Sequence, residues 1–186
     1  QGCRGVWDGT PRMSNLWAAY FGAEGPDAYL EATSRAFLIS AVARIHQPGS
    51  KVDTVPVLES PQGRGKSSAV RILGEPWVAE NLPALGDKDS ALALRGVWIA
   101  EISELAAMNR SEVESVKAFL SRQVDHYREP YGRHFIQRPR QTVLIGTTNA
   151  GAYLKDHTGN RRFWPIKCGA IDLDALARDR MQLFGE

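Results

Sequence analysis

A glycine-rich segment in the first half of the chain has the residue types and spacing of a phosphate-binding loop. The usual pattern is G-x-x-x-x-G-K-[ST], and only its first position differs here, because Ser60 stands where glycine is usual. Glycines let backbone amides curl around phosphate oxygens, the lysine reaches the β- and γ-phosphates, and the hydroxyl holds Mg²⁺. The pattern predicts a nucleotide-binding site at Gln62, Gly63, Arg64, Gly65, Lys66, Ser67 and Ser68, with Mg²⁺ on Ser67.

Two carboxylates follow a second apolar run, residues 97–100. Glu101 comes directly after this run and Glu104 three residues later. Nucleotide hydrolysis needs one acid that holds Mg²⁺ and one that orients or activates the attacking water. We assign Glu101 to the metal and Glu104 to the water, and the two roles are exchangeable. The alternative, two surface acids after a core strand, stays open on sequence alone.

Polar residues also end a third apolar run. Asn149 follows residues 143–146 and could sense the γ-phosphate or position the water, although asparagine is equally common in ordinary turns. Arg161 and Arg162 precede a fourth apolar run. An arginine that reaches the transferring phosphate neutralises the charge that develops there. We expect one of the two to do so, and the alternative is a pair of surface arginines.

Charge is unevenly distributed along the chain. The net charge is only +2, which does not argue for nucleic acid. Residues 122–140, however, contain five arginines and two histidines, opposed only by Asp125 and Glu129. This segment is a local basic stripe, and its pattern predicts two extended stretches with a turn at residues 129–132.

Strands and helices must alternate to position these residues. Apolar periodicity and turn signals predict helices over residues 11–22, 27–46, 66–73, 89–94, 111–121 (with Ser111 as the N-cap) and 172–184. They predict buried strands over residues 54–58, 97–100, 142–146 and 163–166. The alternation indicates an α/β sheet covered on both faces. We divide the chain into an N-terminal helical segment, 1–50, packed on a P-loop ATPase core, 51–186.

Other features narrow the class of protein. No apolar run approaches the roughly 20 residues that span a bilayer. The two cysteines, Cys3 and Cys168, are too few for a disulfide scaffold or a zinc site, so we expect free thiols in the cytoplasm. The first residue is not Met and the last lies in a helical pattern, from which we expect a piece of a longer protein.

Taken together, these residues and their neighbours resemble the virulence-associated protein E family of phage, plasmid and genomic-island proteins, which is similar to superfamily 3 helicases among the AAA+ ATPases. The resemblance spans nearly the whole chain. The segments on which it rests are residues 48–53, 61–67, 98–105, 117–121, 125–133, 139–140, 146–149 and 158–165. The sequence departs from the usual pattern at two positions: Ser60 replaces Gly, and Glu101 stands where many P-loop proteins have Asp.

The resemblance implies a fold, a set of roles and partners. The fold is a P-loop NTPase of AAA+ type, with a mostly parallel sheet and an inserted β-hairpin. Lys66 and Ser67 are the Walker A pair, Glu101 and Glu104 the Walker B-type acids, and Asn149 the sensor. Arg161 or Arg162 acts across the interface of a homo-oligomer, a hexameric ring. ATP and Mg²⁺ are the implied cofactors. In superfamily 3 helicases a hairpin in this interval grips DNA, which gives Lys117, Arg128, Tyr131, Arg133 and His134 as candidate contacts to single- or double-stranded DNA.

The function expected on these grounds is an ATP-hydrolysing motor acting on DNA, a helicase or primase-helicase segment of a replication protein. Two alternatives remain open on sequence. A P-loop small-molecule kinase shares the phosphate loop, although the basic stripe argues against it. A non-enzymatic DNA-binding module would hold nucleotide only as a structural ligand.

Overall fold

The computed structural model describes residues 5, 7–80, 82, 88–105, 108–128, 133–149 and 160–186. Five helices lie in this part of the chain: α1 (Asp27–His46), α2 (Lys66–Gly74), α3 (Lys88–Ala93), α4 (Arg110–Leu120) and α5 (Leu173–Gly185). The strands are β1 (Val55–Glu59), β2 (Val78–Ala79), β3 (Ile99–Ile102), β4 (Val124–Arg128), β5 (Phe135–Pro139), β6 (Val143–Thr148) and β7 (Phe163–Lys167).

Five strands form one parallel sheet in the order β2-β3-β6-β1-β7. Strand β6 lies between β1, which leads into the phosphate loop, and β3, which carries Glu101. Since all five strands run the same way, the carboxyl ends of β1, β3 and β6 meet at one edge of the sheet. This edge holds the phosphate loop, the acid and the asparagine that the sequence singles out.

Alternating side chains of the central strands enter two separate apolar clusters. Leu58 and Ile145 face a cluster shared with α1, α2 and α5. Val57 and Leu144, their neighbours in the chain, face a second cluster that includes residues of α4. The sheet is therefore covered on both faces, and the predicted α/β fold class is confirmed.

Strands β4 and β5 form an antiparallel hairpin outside the main sheet. It follows α4 and leads into β6, and its strands confirm the two extended stretches predicted for the basic stripe. The predicted turn, residues 129–132, lies outside the described residues.

Several boundaries differ from the prediction. Residues 11–22 form a 3₁₀ turn, Met13–Asn15, and a π-helical turn, Leu16–Tyr20, in place of an α-helix. The N-cap of α4 is Asn109, not Ser111, because the Asn109 side chain accepts from the Glu112 amide and the Glu112 side chain accepts in return. Strand β2 was not predicted, since two residues are too few for an apolar period to be visible.

The division at residue 50 stays a prediction. Helix α1 contributes Leu30, Phe37, Leu38 and Ala41 to the same cluster as the sheet residue Leu58, so it packs on the core. Within the described residues, no helix is both long and apolar enough to cross a membrane.

Candidate nucleotide-binding site

The phosphate loop owes its path to two glycines. Gly63 and Gly65 have φ values of +80° and +85°, in the left-handed region that side chains with a Cβ rarely adopt. Ser60 needs no such freedom, because Glu104 is the one non-glycine residue with positive φ in the described part of the chain. Serine therefore fits the first position of the loop without backbone strain.

Lys66 turns back into the loop. Its Nζ donates to the Ser60 carbonyl at 2.7 Å, the Ser60 hydroxyl at 3.1 Å and the Pro61 carbonyl at 3.1 Å. It also donates to Asn149 Oδ1 at 3.0 Å, which joins the loop to the end of β6. The predicted sensor and the predicted Walker lysine are thus in direct contact.

The charge of Lys66 is buried, and within the described part of the chain only neutral oxygens accept hydrogen bonds from it. The residue is 8% exposed, and burial lowers the pKa of its ammonium. No salt bridge to Lys66 forms among the residues that the structure describes; its contacts are neutral oxygens. Buried charges are normally paired, because desolvation of an isolated ion is costly. An anion bound at this point would supply the missing charge.

The amino end of α2 adds to this preference for anions. Its N-cap is Gly65, which has no side chain to accept from the first free amides, and the first turn holds no acid. Those amides and the helix dipole favour a phosphate at this end. Gln62, Gly63 and Arg64 are exposed, so the loop is open to solvent.

Glu101 lies beside the helix start. Its Oε1 accepts from the Ser67 hydroxyl at 2.8 Å and from the Thr147 hydroxyl at 2.6 Å. The residue is only 2% exposed. Both hydroxyls use the same oxygen, and within the described part of the chain Oε2 receives no hydrogen bond. One carboxylate oxygen is therefore fixed by β6 and α2 while the other remains available.

These residues fit a Mg²⁺ ion. Mg²⁺ prefers oxygen ligands, keeps several waters and is bound by one or two protein groups together with substrate phosphates. The Ser67 hydroxyl and the Glu101 carboxylate supply such oxygens next to the lysine. No cluster of three metal-ligating side chains occurs among the described residues, so phosphate and water would complete the shell.

Glu104 differs from the other residues of this cluster in its exposure and backbone conformation. Its side chain is exposed, and its φ of +55° is a strained conformation for a residue with a Cβ. The next residue, Leu105, packs against β6, where its side chain takes the space that a Cβ on Gly146 would need. Among the described residues, no hydrogen bond links Glu104 to Lys66 or Glu101. Its assignment to the attacking water stays a prediction.

The two arginines lie at the opposite edge of the sheet. Strand β7 runs parallel to β1, with Phe163 beside Val55 and Lys167 beside Glu59. Arg161 and Arg162 precede Phe163 in a 3₁₀ turn, Asn160–Arg162. Arg162 therefore lies five residues before Lys167, which stands beside the end of β1 where the phosphate loop begins. At about 3.3 Å per residue, this separation is about 16 Å along the sheet. Arg161 is exposed, and Arg162 Nε is buried with no partner in the described residues.

The candidate DNA contacts divide into three groups. Arg128, Arg133 and His134 are exposed on the hairpin. Lys117 is 4% exposed and pairs with Glu114 at 2.7 Å, so its burial is at odds with a DNA contact. Tyr131 lies outside the described residues.

Sequence reasoning missed two members of the site. Thr147, 5% exposed, fixes Glu101, and its position directly before the Thr148-Asn149 pair was the available signal. Ser60 was noted only as a departure from the usual glycine, whereas both of its oxygens accept from Lys66.

Comparison with known proteins gives a family and a fold. A family model described as virulence-associated protein E-like domain matches residues 1–186. An apo structure of the NrS-1 C-terminal region (305–718) superposes with a TM-score of 0.61 at 16% identity, covering 94% of this chain and 45% of that one. The A form apo structure of the same NrS-1 C-terminal region superposes with a TM-score of 0.62 at 17% identity, covering 95% of this chain and 46% of that one. This chain thus spans less than half the length of both. No curated protein sequence matches it.

Proposed function

The chain belongs to the virulence-associated protein E-like domain family, and from that premise we propose that it is an ATP-binding and ATP-hydrolysing motor domain that acts on DNA during replication. The observation that carries the proposal is the buried ammonium of Lys66, which forms no salt bridge among the described residues, inside a glycine loop at a helix amino end. A γ-phosphate with its surplus negative charge is the ligand that this arrangement favours.

The residues around Lys66 fit hydrolysis as well as binding. Lys66 would leave its loop acceptors to hold the β- and γ-phosphates, which releases the Asn149 side chain to face the γ-phosphate or a water beside it. When bound, Mg²⁺ would supply Lewis-acid stabilisation of the phosphate charge. Ser67 and Glu101 would hold it, and Thr147 would keep Glu101 oriented. Glu104, close in sequence, would orient the attacking water after a local movement of its loop.

The arginine pair supports action between subunits. At about 16 Å along the sheet from the level of their own phosphate loop, Arg161 and Arg162 are badly placed to reach a nucleotide bound by the same chain. An exposed arginine at this edge could instead reach a nucleotide held by an adjacent copy. We therefore propose that the protein works as a homo-oligomer, with a hexameric ring as its expected form. A cytoplasmic location is also part of the proposal.

Steady-state ATPase assays with and without single-stranded DNA test the proposal. We expect turnover that DNA stimulates, and loss of turnover with retained ATP binding in Glu104→Gln. Absence of hydrolysis under oligomeric conditions would contradict it. Phosphate transfer to a small-molecule acceptor, indifferent to DNA, would indicate a kinase instead.

Mixing two inactive variants tests the role of the arginines. Lys66→Ala lacks the phosphate contact, and a variant with both Arg161→Ala and Arg162→Ala lacks the interface arginines. If the arginines act across subunits, mixed oligomers contain interfaces with both sites intact, and activity returns in part. If mixing restores no activity, the arginines do not act between subunits.

A further inference from the structure

We propose that an apolar groove at the amino edge of the main sheet binds an acidic, amphipathic helix of a partner protein. The groove lies between the carboxyl-terminal halves of α1 and α5, the base of the hairpin, and the turns before β2 and β3. Trp98 and Thr142, which line it, precede β3 and β6, whereas the phosphate loop follows the carboxyl end of β1. The groove is therefore separate from the nucleotide site, and binding there does not require nucleotide.

Large apolar side chains are exposed along this groove. Six such side chains are exposed among the described residues, and three of them, Ile39 (54%), Ile45 (42%) and Trp77 (57%), line the groove. Trp98 and Phe184 also line it, with their ring centroids 4.5 Å apart, and connect it to the core cluster shared by α1, α2 and α5. Exposed apolar surface that is contiguous in this way marks an interaction site.

The size of the groove favours a helix over a small molecule. Its volume is about 1290 Å³, whereas sites for small ligands usually have roughly 300–1,000 Å³. A helix about 10 Å across and three turns, about 16 Å, long occupies roughly 1,300 Å³. An amphipathic helix that lays its apolar face in such a groove is a recurring mode of peptide recognition.

The wall of the groove at the hairpin base is basic. Arg138 lies opposite Asp125 in the hairpin register, and both line the groove, together with Arg95 and Arg140. Among the described residues, Asp125 is the one acid that the hairpin, α1 and the turn before β3 contribute to the groove, and it is paired with Arg140. Arg95 and Arg138 are exposed, so this wall presents positive charge to an occupant.

A further arginine lies behind the same wall. Arg44 is 1% exposed, donates to the carbonyls of Arg140 at 3.3 Å and Val52 at 3.1 Å, and has no partner for its Nε among the described residues. Burial, and then the nearby Arg140, lower the pKa of Arg44 to about 10, so it stays charged at neutral pH. Two buried guanidinium groups thus share the single carboxylate of Asp125. The excess positive charge favours an acidic occupant.

A second copy of this chain offers no matching surface in its described part. The exposed large apolar side chains outside the groove are Trp7, Phe135 and Ile136. Phe135 and Ile136 lie on the basic hairpin, which would bring like charges together at the groove. Trp7 precedes Asp8, but that carboxylate is already paired with Arg12. The groove therefore fits a helix of different sequence better than another copy.

The test is fluorescence anisotropy with a labelled synthetic peptide of about 14 residues, with Leu at helical spacing on one face and Glu at the other positions. It should bind the full chain saturably, with or without an ATP analogue, and more weakly as salt is added. The same peptide with Lys in place of Glu should bind at least about 10-fold more weakly, because like charges then meet at the basic wall. A scrambled peptide without an apolar face should not bind.

Variants of exposed groove residues locate the site without disturbing the core. Trp77→Ala and Ile39→Asp should each weaken peptide binding by about 5- to 30-fold, the range of central interface contacts. Trp7→Ala, which removes an exposed ring outside the groove, is the matched control and should have no effect. Arg138→Glu should weaken binding and reduce its salt dependence. Arg128→Glu, an exposed arginine that alternates with the groove-facing side of β4, should leave binding unchanged.

Equal binding of the Glu and Lys peptides, or full binding by Trp77→Ala and Ile39→Asp, would overturn the inference. Self-association that Ile39→Asp abolishes, without peptide binding, would make the groove a contact between copies. Binding of a labelled fatty acid in place of the peptide would make it a lipid site. Either result, or no binding of any probe, would also overturn it. ATP-analogue binding, measured on the same samples, reports on the nucleotide proposal separately.

Discussion

The ion pair at the base of the hairpin gives a sharp stability prediction. Arg140 Nε donates to both oxygens of Asp125, at 3.1 and 3.0 Å, and its Nη2 also contacts Oδ1. Its Nη1 donates to the Phe119 carbonyl at 2.7 Å, and its guanidinium lies 4.2 Å from the Phe119 ring centroid. The two charged side chains are 2% and 7% exposed. Arg140→Ala should therefore destabilise the whole hairpin base.

The expected magnitude follows from burial. An exposed ion pair would be worth about 0–1 kcal/mol, whereas removal of one partner of a buried pair leaves an uncompensated charge and costs about 3–5 kcal/mol. Whole domains are stable by only about 5–15 kcal/mol. For a chain of this size, the loss corresponds to a fall in melting temperature of roughly 6–20 °C.

Urea unfolding followed by circular dichroism measures the effect. Arg138→Ala is the matched control, since Arg138 lies opposite Asp125 in the hairpin register but is exposed. It should change the free energy of unfolding by less than about 1 kcal/mol. A double change, Asp125→Ala with Arg140→Ala, should cost clearly less than the sum of the single changes. Equal effects of Arg140→Ala and Arg138→Ala would refute the reasoning.

Three further predictions concern single residues. Burial raises the pKa of the Cys168 thiol to about 12, so in a Cys3→Ser background it should resist DTNB at pH 8 until urea is added; rapid labelling of the folded chain would contradict this. Asn109→Ala removes the cap of α4 and should cost about 1 kcal/mol in urea unfolding, a value that Asn109→Ser should largely restore. Ser60→Gly removes the hydroxyl that accepts from Lys66 in the absence of nucleotide. Because Lys66 then has one hydrogen bond fewer to give up, ATP should bind a few-fold more tightly by calorimetry; weaker binding would show that Ser60 assists the bound state.

Much of the fold could be predicted because its signals are local. The strands that lead to Glu59 and Glu101 are short apolar runs, and the loop between β1 and α2 has a pattern set by backbone geometry. The α/β class followed from their alternation. The two-residue β2 has no period to detect. Ser111 and Asn109 are both residue types that cap helices, and only the reciprocal contact with Glu112 in the structure identifies Asn109 as the cap.

The site was predictable in its residues but not in its contacts. Glu101 and Asn149 are distant from the loop in sequence, and only the strand order brings them beside Ser67 and Lys66. Residue type alone did not predict the environment of Lys117, because a lysine on a helix is usually exposed and this one is buried by tertiary packing.

Calorimetric titration with a non-hydrolysable ATP analogue and Mg²⁺ tests the central claim most directly, because that claim is that the buried charge of Lys66 recognises phosphate. We predict saturable binding that Lys66→Ala weakens roughly 10- to 150-fold, the range of a lost charged hydrogen bond. Arg64→Ala, which alters an exposed loop residue, should have a much smaller effect. No binding by the unmodified chain, or equal binding by Lys66→Ala, would contradict the account.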